Sequence, residues 1–123
     1  MKPLLTTLAV VTLLTGCVPK SELLYDWGAV SETQLKWIRE PGSPNLTAHE
    51  NALQAVIDQA KQHNKRVPPG VHCELGYLRF KQGRMGEAEQ LYNAEIALYP
   101  ESRIFMERLK SKIQATTASR PST

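Results

Sequence analysis

Little in this sequence suits a reaction centre, a sheet or a membrane span. The 123 residues include two cysteines, Cys17 and Cys73, too few for a disulfide scaffold. His49 and His63 fall about four turns apart on one expected helix, a rise of roughly 21 Å, so they cannot share a metal. His72 and Cys73 are adjacent, and helical neighbours point about 100° apart, which rules out a thiol–imidazole dyad. Cys73 is expected in the core and His72 on the surface. There is no glycine-rich phosphate loop and no Ser–His–Asp pattern. Fifteen basic residues against twelve acidic ones leave a net charge of +3, too slight to argue for nucleic acid. No stretch reads as a strand, and the longest apolar run, residues 4–14, is shorter than the roughly 20 residues a spanning helix needs. The expectation is a small all-α protein with no catalytic activity, metal or cofactor.

What is present centres on residues 75–100, LGYLRFKQGRMGEAEQLYNAEIALYP. Val71, Leu75 and Leu78 fall on one face of a first helix. Met85, Ala88, Leu91, Tyr92, Ile96 and Tyr99 form the apolar stripe of a second. Gly83 stands where the first helix must stop, and Pro100 cannot continue the second. Before this hairpin, Ser31 with Gln34 and Thr47 with Glu50 read as capping boxes. The first opens a helix carrying Leu35 and Ile38 on its apolar side and ending at Pro41-Gly42. Pro44 is expected to hold the loop open ahead of the second, which carries Leu53, Val56, Ile57 and Ala60 to about His63. Pro68-Pro69-Gly70 is a stiff linker. Ser102 is a candidate N-cap for a last helix carrying Ile104, Phe105, Leu109 and Ile113. Tyr25 and Trp27 need partners, so the segment LLYDWG is expected to dock.

The hairpin resembles a tetratricopeptide repeat (TPR). Leu75 and Gly76, then Ala88, Tyr92 and Pro100, stand at that repeat's offsets, with the turn string FKQG between them. His72, Arg79 and Glu95 depart from its preferences. The resemblance implies antiparallel helical hairpins, four to five helices in all with a C-terminal capping helix. It also implies a concave groove lined by Cys73, Tyr77, Phe80 and Lys81, suited to a peptide or partner helix. The other possibility is that the helices within residues 23–60, or the last helix, cover that stripe.

The N-terminus resembles a lipoprotein leader. Lys2, the apolar run and the junction Leu14-Thr15-Gly16-Cys17 match the bacterial lipobox. That resemblance implies cleavage before Cys17 and a covalent lipid on its sulfur and amine, the one non-protein group expected. Val18 is not the Asp that commonly retains such proteins in the inner membrane, which points to the outer membrane, facing the periplasm. The expected organisation is a leader (1–16), a lipidated tether (17–22), a helical domain (23–114) and a disordered tail (115–123). The strings LYDWG, KRVPPG and LYPES, with the repeat between them, resemble a family of small Gram-negative lipoproteins of the domain-of-unknown-function type. The resemblance implies a cell-envelope role. The expected partner is an envelope protein, possibly another lipoprotein, with the membrane reached through the anchor. The alternative is a structural or regulatory lipoprotein of cell-wall assembly, whose Lys61, Lys65, Arg66 and Arg84 meet peptidoglycan machinery or acidic envelope groups.

Overall fold

The structure, a computed structural model, describes residues 23–119. The leader, Cys17 and the tether lie outside the described residues, as do residues 120–123 of the expected tail. Five α-helices follow one another: α1 (Val30–Arg39), α2 (Ser43–Gln62), α3 (Val71–Lys81), α4 (Met85–Leu98) and α5 (Arg103–Ala118). A 3-10 turn, Pro100–Ser102, leads into α5, and there is no strand among the described residues. Each helix packs chiefly on the one before and the one after it, α3 most extensively on α4. The short connections make neighbours antiparallel, so the chain forms a row of helical hairpins, as expected from the sequence.

Two helices end as their residues dictate. Gly83 takes a left-handed φ of 79°. Its N–H donates to the Phe80 carbonyl at 2.9 Å, and that of Arg84 to the Arg79 carbonyl at 2.9 Å, which satisfies two last-turn acceptors of α3. Asn64 does the same for α2 with φ 50°, the Lys65 N–H reaching the Ala60 carbonyl at 2.8 Å. The helix starts differ from expectation. α2 begins at Ser43, because Pro44 in the first turn lacks only an N–H that would have no partner there. Thr47 is therefore interior and caps nothing. α1 begins at Val30 without a side-chain cap, so Ser31 is not its N-cap. Ser102 does flank α5, but its hydroxyl donates back to the Tyr99 carbonyl at 2.7 Å. α5 also runs to Ala118, past the boundary expected at residue 114.

The core has two parts. Val30, Leu53, Val56, Ala60, Val67, Val71, Leu75 and Leu78 join α1, α2 and the linker to α3. Ala88, Tyr92, Ile96, Met106 and Ile113 join α4 to α5. The parts meet where α3 crosses α4. A Cβ on Gly76 would lie 2.7 and 2.9 Å from two atoms of the Tyr92 ring, so the helices touch at a separation only glycine permits. The terminal helices turn differently from their apolar patterns. Leu35 and Ile38 on α1 are exposed, as are Ile104 and Phe105 on α5, while Met106 is buried in their stead. Trp37 and Val30 supply the buried side of α1.

Candidate functional site

α1 is oriented by polar atoms rather than by leucines. His49 of α2 is wholly buried and stacks on Trp37 with ring centroids 5.9 Å apart. Its Nε2 lies 3.0 Å from Glu74 Oε1 and its Nδ1 3.0 Å from Thr33 Oγ1. Gln34 Nε2 donates to the same Glu74 oxygen at 3.0 Å. Three helices are thus tied at one carboxylate. Thr33, His49 and Glu74 have the connectivity of a nucleophile, base and acid. However, no part of His49 is open to solvent, and the Thr33 hydroxyl already has the Ala29 and Val30 carbonyls as acceptors at 2.9 and 3.1 Å. The cluster fixes geometry.

That tie builds a surface. α1 and α3 both pack against α2 and run parallel. One helical turn beyond the Gln34–Glu74 bond stand Ile38 on α1 and Tyr77 on α3. Ile38 is 64% exposed, Tyr77 46% and Leu35 47%. Lys81, one turn after Tyr77, is exposed as well. Of the four groove residues expected from the sequence, Tyr77 and Lys81 stay on the surface. Cys73 and Phe80 are instead half-buried and pack against the second core. Sequence periodicity placed Leu35 and Ile38 in the core. The signal in the chain for the rotation of α1 is the pair Trp37 and His49, an aromatic and a histidine able to stack in the interior.

The region behind α3 is electrostatically tight. Glu95 of α4 is buried, and its Oε1 accepts the Gly70 N–H at 2.7 Å, at the N-terminus of α3 where a carboxylate is favoured. Its Oε2 lies 3.9 Å from His72 Nδ1. His72 is buried, not on the surface as expected, and burial holds its pKa below the ordinary value. Glu50 is also buried and accepts from Arg79 at 2.7 Å and from Gln82 at 2.6 Å, which joins α2 to the end of α3. On the other side of the linker, the Tyr99 hydroxyl donates to the Val67 carbonyl at 2.6 Å, and Arg66 lies over the Tyr99 ring, 4.4 Å from its centroid. The Arg66 guanidinium also donates to the Leu98 carbonyl.

The half-buried Cys73 thiol is pushed up to about 11 by burial, then by Glu95 and Glu74. Burial likewise pushes Tyr92 up to about 12. Both groups are neutral when protonated, so raised values favour the folded state below pH 9 and 10. That contribution falls as pH climbs through the shifted values. From about pH 7.5, above the range in which His72 titrates, denaturant midpoints should hold steady to about pH 9 and then decline towards pH 12. Cys73→Ser should delay the onset, and an unchanged onset would remove the thiol from the account.

Among the described residues no group of three His, Cys, Asp or Glu side chains could hold a metal ion. No described helix is long and apolar enough to cross a membrane. The repeat residues Leu75, Gly76, Ala88 and Tyr92 are all buried, the last three at the α3–α4 contact, and Pro100 opens the 3-10 turn.

No match is found among the curated proteins or the solved structures. The model of one family, described as Domain of unknown function (DUF4810), matches residues 24–109. That match takes in the His49–Glu74 clamp, the strip beside it and the α3–α4 contact, and on its strength the chain belongs to the DUF4810 family.

Proposed function

We propose that the protein is a lipid-anchored adapter of the cell envelope, facing the periplasm from the outer membrane, which grips a protein partner and catalyses nothing. In this reading α3 and α4 are a TPR-like unit, with α1, α2 and α5 giving the cover that a single repeat lacks. Cys17, outside the described residues, carries the lipid.

One observation carries the binding role. Leu35, Ile38 and Tyr77 are exposed on two helices joined through the Gln34–Glu74 and His49–Glu74 bonds, with Lys81 one turn after Tyr77. Apolar side chains that stay exposed while His49, Glu50 and Glu95 are buried are not left over from core formation. An amphipathic helix laid across them would bury its apolar face on these anchors and place an acidic group near Lys81.

A photo-crosslinker at Tyr77 in intact bacteria should capture a specific envelope protein. Tyr77→Ala and Ile38→Ala should weaken its recovery roughly tenfold or more, the range of an aromatic or aliphatic anchor. Both should leave unfolding midpoints within about 0.5 kcal/mol, as for other surface positions. Recovery unchanged in both variants would sink the groove. Mass spectrometry of the mature N-terminus tests the anchor separately.

The cell-wall alternative is less well supported. Arg84 forms an ion pair with Glu87 at 2.6 Å. Arg84 and Arg66 also stand at opposite ends of α3, some 16 Å of helix apart by its rise, so the four cations do not form one surface.

A further inference from the structure

We propose that the end of the domain built from Leu23, Leu24, Trp27, Lys65 and Arg66 seats in the headgroup layer of a phospholipid bilayer. This seating stands the helices up and holds the turn between α3 and α4 away from the membrane. The inference rests on the anchored reading above and adds an orientation to it.

Three observations carry it. First, Leu23 and Leu24 are 76% and 77% exposed, and Trp27, three residues further on, is 42% exposed, all in a segment outside any helix. Leu23 and Leu24 line one shallow depression with Lys65 and Arg66. Leucine and tryptophan beside lysine and arginine is the set that inserts at a bilayer interface, the rings and aliphatic chains below and the cations at the phosphates. Second, Arg66 is fixed in place by the Tyr99 ring and the Leu98 carbonyl, so a cation is presented without being ordered on binding. The neighbouring cleft, about 180 Å³, adds His63 and Gln59 as polar groups. Its one carboxylate, Asp26, is turned to the Gly28 N–H at 2.9 Å. Third, Leu23 stands six positions after Cys17, a reach of at most about 22 Å when fully extended. A lipid on Cys17 leaves this corner no room to work far from the bilayer. α4, 14 residues long, then lifts the Gly83 turn roughly 21 Å above it.

The two tryptophans make the test. The full chain, recovered in detergent from bacteria that export it, is reconstituted into phosphatidylethanolamine–phosphatidylglycerol vesicles with brominated acyl chains. Trp37→Phe leaves Trp27 as the reporter, and Trp27→Phe leaves Trp37, which is half-buried against His49. Trp27 emission should fall roughly twofold, as for a ring about 5–10 Å into the boundary, while Trp37 emission should not. Leu23→Ser with Leu24→Ser should restore Trp27 emission. Lys65→Gln should shift the seated fraction roughly fivefold, one cation's worth at an anionic surface. Vesicles that float with the protein while Trp27 stays bright would overturn the orientation and leave the anchor standing. Protein that does not float removes both. Equal quenching of Trp27 in all variants, or Trp27 buried by self-association without vesicles, overturns the patch.

Discussion

Tyr92→Ala should lose about 3–5 kcal/mol of stability, the largest effect expected of any single truncation here. The ring is 1% exposed and lies in the contact that joins the two parts of the core. A domain of this size has about 5–15 kcal/mol in total, so the variant should be partly unfolded at growth temperature. The informative partner is Gly76. Alanine at an interior helix position normally gains about 1 kcal/mol over glycine. Here its methyl would press on the Tyr92 ring at 2.7 and 2.9 Å, and sit 3.3 Å from the Ala88 carbonyl. Overpacking of this kind costs about 1–3 kcal/mol, so Gly76→Ala should be destabilising despite its better propensity. Shortening the ring should make room. In a Tyr92→Leu background, Gly76→Ala should cost less or become stabilising, with a coupling of at least about 0.5 kcal/mol in denaturant titrations. If Gly76→Ala costs the same in both backgrounds, the close approach of α3 to α4 is not what glycine is there for.

His49→Ala comes next, at about 3–4 kcal/mol. Two hydrogen bonds contribute about 1 kcal/mol each, the Trp37 stack about 0.5–1.5, and the cavity the remainder. Glu74 keeps Gln34 as a partner and its side chain is 31% exposed, so it is not left as an orphaned buried charge. The loss should be uneven. α1 is held by Val30, Trp37 and this clamp, so amide exchange should accelerate in α1 well before α3 and α4 open. Because Leu35 and Ile38 ride on α1, partner affinity should fall with it even though His49 touches no partner. Equal acceleration across all helices would mean the clamp stabilises the fold as a whole rather than positioning α1.

A residue that acts through α1 would be hard to find from the chain alone. The Gln34–Glu74 bond spans 40 positions and the His49–Glu74 contact 25. Period 3.6 assigns Leu35 and Ile38 to a buried face because they are apolar. It has no access to a histidine on another helix that competes for the same space. Cys73 and Phe80 show the same limit, since the edges of the stripe that reaches Tyr77 pack against the second core. The basic linker offers a contrast: KRVPPG is visible as stiff and charged, but only the fold brings Tyr99 under Arg66 and Leu23 beside it.

The sequence by itself determined the local structure. Gly83 stops α3 because a left-handed residue is needed there, Pro100 ends α4 because it has no N–H to give, and Gly76, Ala88 and Tyr92 mark the contact between the two helices. These are short-range effects, set by backbone sterics and by spacing along a helix. Tertiary structure decided which faces are covered and which remain open. It buried His49, His72 and Glu95, and left Leu35, Ile38 and Tyr77 outside. The physical reason is that a helix in a single row packs chiefly on two neighbours. Its rotation is then settled by a few buried polar bonds whose partners lie far off in the chain.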